Sequence, residues 1–322
     1  MCLYPRIIKN RKYTETKKNG GKIPAVHDKR ILYVPIACGV CMECMKAKAR
    51  EWQIRLAEEI RTNKNGQFIT LTFNEESLQE LENEVRKDSE ETVTNNEDQL
   101  LKSYNDGNSI AILAVRRFLE RWRKKYKKSV RHWLVTELGH NGTERIHLHG
   151  IIFTDKKEEI EKIWKYGWVY LGQFVNEKTI NYIVKYIHKI DSDHKEYKPK
   201  VLCSAGIGSG YIKRVDANNN RYNEKNTDES YKFRNGIKSN IPIYYRNKIY
   251  SEEEREKLWI NKLDENTRYI NGEKIKIRTL ADLETYEKTL KYYQKQNKAL
   301  GYGEPEDWNV KKYKKTRENL EI

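Results

Sequence analysis

The stretch RHWLVTELGHNGTERIHLHGIIF, residues 131–153, decides the fold. Its two ends are rich in β-branched, aromatic and aliphatic residues, and GHNGTE (139–144) between them has the composition of a turn. The sequence therefore predicts a hairpin of strands 131–138 and 145–153. Alternate side chains of an extended chain leave the same face, so His147 and His149 project together from Cα atoms roughly 6.5 Å apart. Closing the hairpin at GHNGTE makes antiparallel partners sum to about 284, which sets Glu137 opposite His147 and Val135 opposite His149. Opposed residues share a face, whereas a slip of one residue would send Glu137 to the other. Two imidazoles and a carboxylate with coordination positions left open form a catalytic style of metal site. The plainer reading is a pair of polar residues on a half-exposed strand.

The 322-residue chain carries 63 Lys and Arg against 47 Asp and Glu, a net charge of +16. Residues 74–108 hold 11 acids and 3 bases, a net of −8, so the remainder stands at +24. A basic body of that size seeks polyanions. There is no signal peptide and no apolar run long enough to cross a bilayer, which predicts a cytosolic protein.

Three of the five cysteines fall in ACGVCMEC as Cys38, Cys41 and Cys44. An odd count argues against a disulfide framework, and thiolates at this spacing can wrap one zinc or iron. Tetrahedral zinc needs a fourth ligand. Cys2 is the nearest in sequence, with His27 and Cys203 as alternatives, and the sequence does not choose among them. Reduced cysteines packed as small apolar residues are the alternative to a structural metal.

The chain organises as a basic N-terminal segment with the cysteine cluster and a helix (1–62), a central domain with the acidic insertion 74–108 (63–215), and a C-terminal extension (216–322). FITLTF (68–73) and 169–175 supply two more strands, and helices are expected near 110–127, 156–166 and 177–190. In the first of these helices Ile112, Val115, Phe118, Leu119, Trp122 and Tyr126 form an apolar stripe, and Arg116, Arg117, Arg121, Lys124 and Lys125 a basic surface suited to DNA. A helix near 279–300 has Thr279 and Asp282 to cap its start, a stripe of Leu280, Leu283, Tyr286, Leu290 and Tyr293, and Gly301 to end it. The fold class is α+β, an antiparallel sheet with helices packed on one face.

In NYIVKYIHKI (181–190), Ile180, Ile183, Val184, Ile187 and Ile190 gather into an apolar stripe, while Tyr182, Lys185, Tyr186 and Lys189 form another beside it. The tyrosines ride with the lysines, one turn apart, about 6 Å along the axis. A phenol is protonated at neutral pH, so Lys185 or Lys189 would help make it a nucleophile.

His147-Leu148-His149 in an apolar strand, followed by Tyr182-x-x-Lys185-Tyr186, resembles the two-tyrosine class of HUH endonucleases. More closely, the chain resembles the replication initiators of gokushoviruses (Microviridae), small phages with circular single-stranded DNA. The matching pieces run from residue 38 to 248: CGVCMEC, FITLTF, ELGHNGTERIHLHGIIF, YIVKYIHK, AGIGSGY (205–211) and IPIYYRNK (241–248). The departures are Ile146, where this branch has proline, and Ile36-Ala37 before Cys38. Residues 250–322 match only loosely.

The resemblance implies a ferredoxin-like HUH domain that initiates rolling-circle replication. His147, His149 and Glu137 would bind Mg²⁺ or Mn²⁺, and Tyr182 and Tyr186 would be the nucleophiles, with Lys185 beside them. Attack leaves a 5′-phosphotyrosine and a free 3′-OH, which the host polymerase extends with a host helicase. A second cleavage and strand transfer then release a closed circle. Origin DNA in single-stranded form would be the substrate, the host bacterial cytoplasm the location, and Lys189 a further DNA contact. Two other readings are a zinc-stabilised single-stranded DNA-binding protein without nuclease activity, stacking bases on Trp122 or Tyr126, and a two-histidine, one-glutamate zinc hydrolase that uses water.

Overall fold

The computed structural model describes residues 2–92, 107–139, 145–172, 175–190 and 197–321. The chain forms two compact units, Met1–Glu51 with Tyr211–Ile322, and Trp52–Gly210. In chain order the elements up to the end of the second unit are β1 (Arg6–Lys9), β2 (Tyr33–Ile36), α1 (Met42–Thr62), β3 (Gly66–Leu71), α2 (Glu75–Thr92), α3 (Gly107–Tyr126), β4 (Arg131–Leu138), β5 (Ile146–Phe153), α4 (Glu158–Trp164), β6 (Val169–Leu171), α5 (Glu177–His188) and β7 (Val201–Cys203).

The unit Trp52–Gly210 is built on a five-stranded sheet in the order β6-β3-β5-β4-β7, with every neighbour antiparallel. The α+β class holds, and the sheet is covered on both faces. On one face Ile69, Leu71, Leu134, Leu148 and Ile152 pack with Ala111, Ala114, Val115 and Phe118 of α3 and with Ile160, Ile163 and Trp164 of α4. On the other, Trp133 meets Trp52 of α1, while Phe68 and His149 meet Tyr182 and Tyr186 of α5. Helices confined to one face were the expectation. The central strands are apolar on both faces, as the runs WLV and GIIF already require, so both must be covered.

The stripe of α3 is also displaced from its expected line. Ala111, Ala114, Val115, Phe118 and Trp122 are buried, whereas Ile112 is exposed, because small alanines let the helix backbone approach the sheet. Trp122 lies in this core, so it offers no surface to a base. On the opposite face α1 is tied to β4 by the buried Glu59 carboxylate. It pairs with Arg131 and accepts from the Gly208 N–H, while Arg131 also donates to the Ala205 and Gly206 carbonyls. The AGIG segment (205–208) thereby closes around one ion pair, with Gly206 and Gly208 at positive φ to make the turn.

Gly150 stands where β5 is pressed hardest against β4. A Cβ there would lie 2.1 Å from the Trp133 carbonyl oxygen and 2.8 Å from Leu134 Cα. Backbone in a central sheet cannot move aside, so Gly150→Ala is expected to cost about 3 kcal/mol of stability. Gly107→Ala, whose methyl would meet Ile146 at 3.5 Å, is the matched control and stays near the parent in denaturant unfolding.

In the other unit β1 and β2 pair antiparallel, and the chain continues through β8 (Ser230–Lys232), β9 (Lys238–Asn240), α6 (Ile243–Ile249), α7 (Glu252–Asp264), β10 (Thr267–Ile270), β11 (Glu273–Lys276), α8 (Leu280–Ala299) and α9 (Val310–Arg317). The capping box of Thr279 and Asp282 starts α8 as expected, and Gly301 at positive φ follows its end. Tyr286 and Leu290 are buried against Leu3, Tyr4, Cys41 and Met42, whereas Leu280 at the first turn is exposed. Buried Asn297 caps the start of α1 by accepting from Met42 N–H at 2.8 Å.

Candidate functional site: a histidine pair, a carboxylate and two tyrosines

The hairpin register is Glu137 opposite His147 and Val135 opposite His149. Gly139 N–H donates to the Arg145 carbonyl at 2.8 Å where the strands end, and the rest of the connection, 140–144, lies outside the described residues. Thr70 pairs with His149 from the other side, so Glu137, His147, His149 and Thr70 occupy one face of three adjacent strands.

These residues hold one another. His149 Nε2 lies 2.8 Å from Glu137 Oε2, and His149 Nδ1 lies 3.0 Å from the Thr70 hydroxyl, so both ring nitrogens have partners. Lys189 donates to the other carboxylate oxygen of Glu137 at 2.5 Å. Burial pushes the Glu137 pKa up, but His149 and Lys189 outweigh it, and the carboxyl sits below its ordinary range. Burial, with His149 nearby, holds His147 below the usual histidine range. Glu137 is thus a carboxylate and His147 a neutral imidazole, the states that ligate a cation.

Helix α5 brings the tyrosines to this face. Asn176 caps it through a capping box with Thr179, and Ile180, Ile183, Val184 and Ile187 are buried beneath it. Tyr186 stacks flat on His149, with ring centroids 4.4 Å apart and planes 4° from parallel. Its hydroxyl donates to the Tyr182 hydroxyl at 2.7 Å. Lys185 Nζ stands 3.9 Å from the Tyr182 ring centre and 5.4 Å from that of Tyr186. Helical periodicity set both tyrosines apart from the core. In the fold Tyr182 is 44% exposed but Tyr186 only 6%, because α5 lies over His149 and closes that side of the stripe. Burial, the bond to Tyr182 and the Glu137 charge all raise the Tyr186 pKa.

Of the residues expected to bind DNA, only Lys189 reaches this site. The α3 bases lie across the sheet from it, and most are engaged within the protein. Arg116 pairs with Glu120, Arg117 with Glu84 and Lys125 with Glu159, while Arg121 donates to the Ile163 and Trp164 carbonyls. Lys124 is exposed. Tyr126 hydrogen-bonds Glu159. The sequence reading missed Thr70, although FITLTF was already a strand and its alternation sets Thr70 on the face of Phe68.

The cysteines form a second centre, within the unit Met1–Glu51 with Tyr211–Ile322. The Sγ atoms of Cys2, Cys38, Cys41 and Cys44 all lie within 4.8 Å of one another. Among the described residues this is the one group of three or more such donors so gathered; the donor atoms of His147, His149 and Glu137 are not. Cys2 is therefore the fourth member, and His27 and Cys203 are not part of it. Cys38 and Cys44 sulfurs stand 3.8 Å apart, about the edge of a tetrahedron with 2.3 Å metal–sulfur bonds. Backbone N–H groups of Tyr4 and Cys38 point to Cys2 Sγ at 3.3 and 3.2 Å, and those of Leu3 and Cys41 point to Cys41 and Cys38 Sγ. Donors aimed at sulfur stabilise thiolates, and four thiolates this close call for a cation between them. The cluster has the chemistry to hold a structural metal such as zinc.

Residues 66–191, from β3 through α5 and including the histidine pair and both tyrosines, match the model of a family of replication-associated proteins, the ORF2 type. The match supports a role in replication initiation. No curated protein and no solved structure matches the chain. No helix among the described residues is long and apolar enough to cross a membrane.

Proposed function

We propose that the protein is a rolling-circle replication initiator that nicks and rejoins single-stranded origin DNA through a phosphotyrosine. The observation that carries this reading is the pair of hydrogen-bonded tyrosines presented over His149, beside an ionised Glu137. His147, His149 and Glu137 suit Mg²⁺ or Mn²⁺ as a nitrogen and oxygen donor set in ligating protonation states; when bound, such an ion polarises a phosphate oxygen.

The chain's own residues supply the rest. Tyr182 is the exposed phenol, and its oxygen already accepts a hydrogen bond from Tyr186 with the Lys185 ammonium near its ring, so both favour the phenolate. That oxygen bonds to phosphorus, the bond from phosphorus to the 3′ oxygen breaks, and the 3′ oxygen leaves as a hydroxyl after taking a proton. The product is a 5′-phosphotyrosine and a 3′ end that a host polymerase and helicase use. Tyr186 makes the second cut, and the new 3′-OH displaces the first tyrosine to close the circle. The setting is the cytoplasm of a bacterium infected by a small single-stranded DNA phage. Incubation with circular single-stranded origin DNA and Mn²⁺, followed by denaturing electrophoresis, is expected to show a protein–DNA adduct. Binding without any adduct would favour a non-enzymatic DNA-binding protein, and cleavage that survives loss of both tyrosines would favour a hydrolase that activates water.

The cysteine cluster takes a structural zinc in this reading. Freshly purified protein is expected to contain about one zinc per chain by elemental analysis, and Co²⁺ substitution to give the absorption of a tetrahedral thiolate site. Cys2→Ser and Cys38→Ser each lower the melting temperature by about 10 °C before they alter cleavage, since a lost ligand costs folding free energy. Protein free of zinc and iron with an unchanged melting temperature would overturn the assignment.

A further inference from the structure

We propose that Trp168 and Tyr170, on the edge strand β6, form a stacking platform for the bases of single-stranded DNA next to the phosphate that is cut. The proposal rests on the endonuclease reading of the site. Tyr170 pairs with Thr70, and Thr70 with His149, so all three stand in one row across β6, β3 and β5 on the same face. Two strand spacings separate Tyr170 from His149, about 10 Å, a distance that a nucleotide or two of extended chain spans.

The rings between them are continuous. Trp168 lies 5.9 Å from Tyr170, Tyr170 6.2 Å from Phe68, Phe68 6.0 Å from Tyr182, and Tyr182 5.5 Å from Tyr186. The outer members are open, Trp168 at 61% and Tyr170 at 45% exposure. Aromatic rings exposed in series on a strand edge cost solubility unless something stacks on them, and every base has a π-face that fits. The platform is also rigid. The Trp168 carbonyl accepts from Thr72 N–H at 3.0 Å and from its hydroxyl at 2.9 Å. A Cβ on Gly167 would meet the Thr72 oxygen at 2.7 Å, and one on Gly172 the Phe68 ring at 2.7 Å, so β6 is seated hard against β3. A strand whose phosphate lies at Tyr182 can run outward over these rings, which hold the bases while lysines neutralise the backbone.

The test uses the full chain with Tyr182→Phe and Tyr186→Phe, so that binding is read without cleavage. Anisotropy titration with a labelled oligothymidylate is expected to show Trp168→Ala and Tyr170→Ala each weakening affinity by about 5- to 100-fold. The dependence of affinity on salt stays unchanged, because no charge is removed. Independently, 5-iododeoxyuridine oligonucleotides crosslinked to the chain without either alanine substitution are expected to attach to the peptide containing Trp168 and Tyr170. Affinities within about twofold of the parent, or crosslinks found only elsewhere, overturn the proposal. So does a shift from dimer to monomer on sedimentation of the alanine variants with DNA affinity intact, which would make the edge an interface between copies. The two readings fail separately. Adduct formation with no effect of Trp168→Ala removes the platform alone, whereas a stacking effect in a chain that never forms an adduct removes the catalytic reading alone.

Discussion

A chain carrying both Tyr182→Phe and Tyr186→Phe is expected to form no covalent adduct with origin DNA, a loss of about 10³-fold or more, while each single variant still forms one. One nucleophile suffices for one cut. Tyr182→Phe reacts more slowly, because Tyr186 is buried against His149 and must become accessible before it can attack. On a complete circle each single variant nicks but fails to release closed circles through repeated rounds, since a tyrosine already esterified to DNA cannot cut again. Peptide mapping of the adduct checks the division of labour. DNA found on a single one of the two tyrosines under every condition would refute alternation between them.

His147→Ala and His149→Ala are each expected to reduce cleavage by about 10³-fold, with DNA affinity within about threefold of the parent. Loss of Lewis-acid polarisation removes several kcal/mol from the transition state, whereas affinity resides mostly in phosphate and base contacts. His147→Ala is the cleaner experiment. His149 also supports the Tyr186 ring, so its removal disturbs nucleophile and ligand together. Glu137→Ala is expected to be equal or milder, and it also releases Lys189. Full activity in the double histidine variant would sink the metal assignment.

The hairpin was legible because local chemistry governs it: two apolar strands and a short polar connection leave little choice of register, and alternation does the rest. The cap and stop of α8 were legible for the same reason. What the sequence concealed depends on distant residues. The basic stripe of α3 suggested DNA, but Glu84 and Glu159, far along the chain, take up Arg117 and Lys125. The burial of Tyr186 follows from the placement of α5 over His149, which periodicity within a helix cannot report. Cys2 could not be chosen over His27 or Cys203 from spacing, since 36 residues separate it from Cys38. The stripe of α3 moved because alanines, weak in any hydropathy pattern, sit where the helix comes closest to the sheet.

The packing of the first residues against α8 sets an order of assembly during synthesis. Gln294 donates to the Leu3 carbonyl across 291 residues, and Asn297 caps a helix that begins at Met42. The sheet unit, by contrast, is drawn from the continuous stretch Trp52–Gly210. As the chain leaves the ribosome, that unit has all its strands while Cys2, Cys38, Cys41 and Cys44 still await the helix that will cover them. The nascent thiols therefore pass through a period of exposure, and a metal bound then would hold the N-terminal segment in place until translation reaches α8.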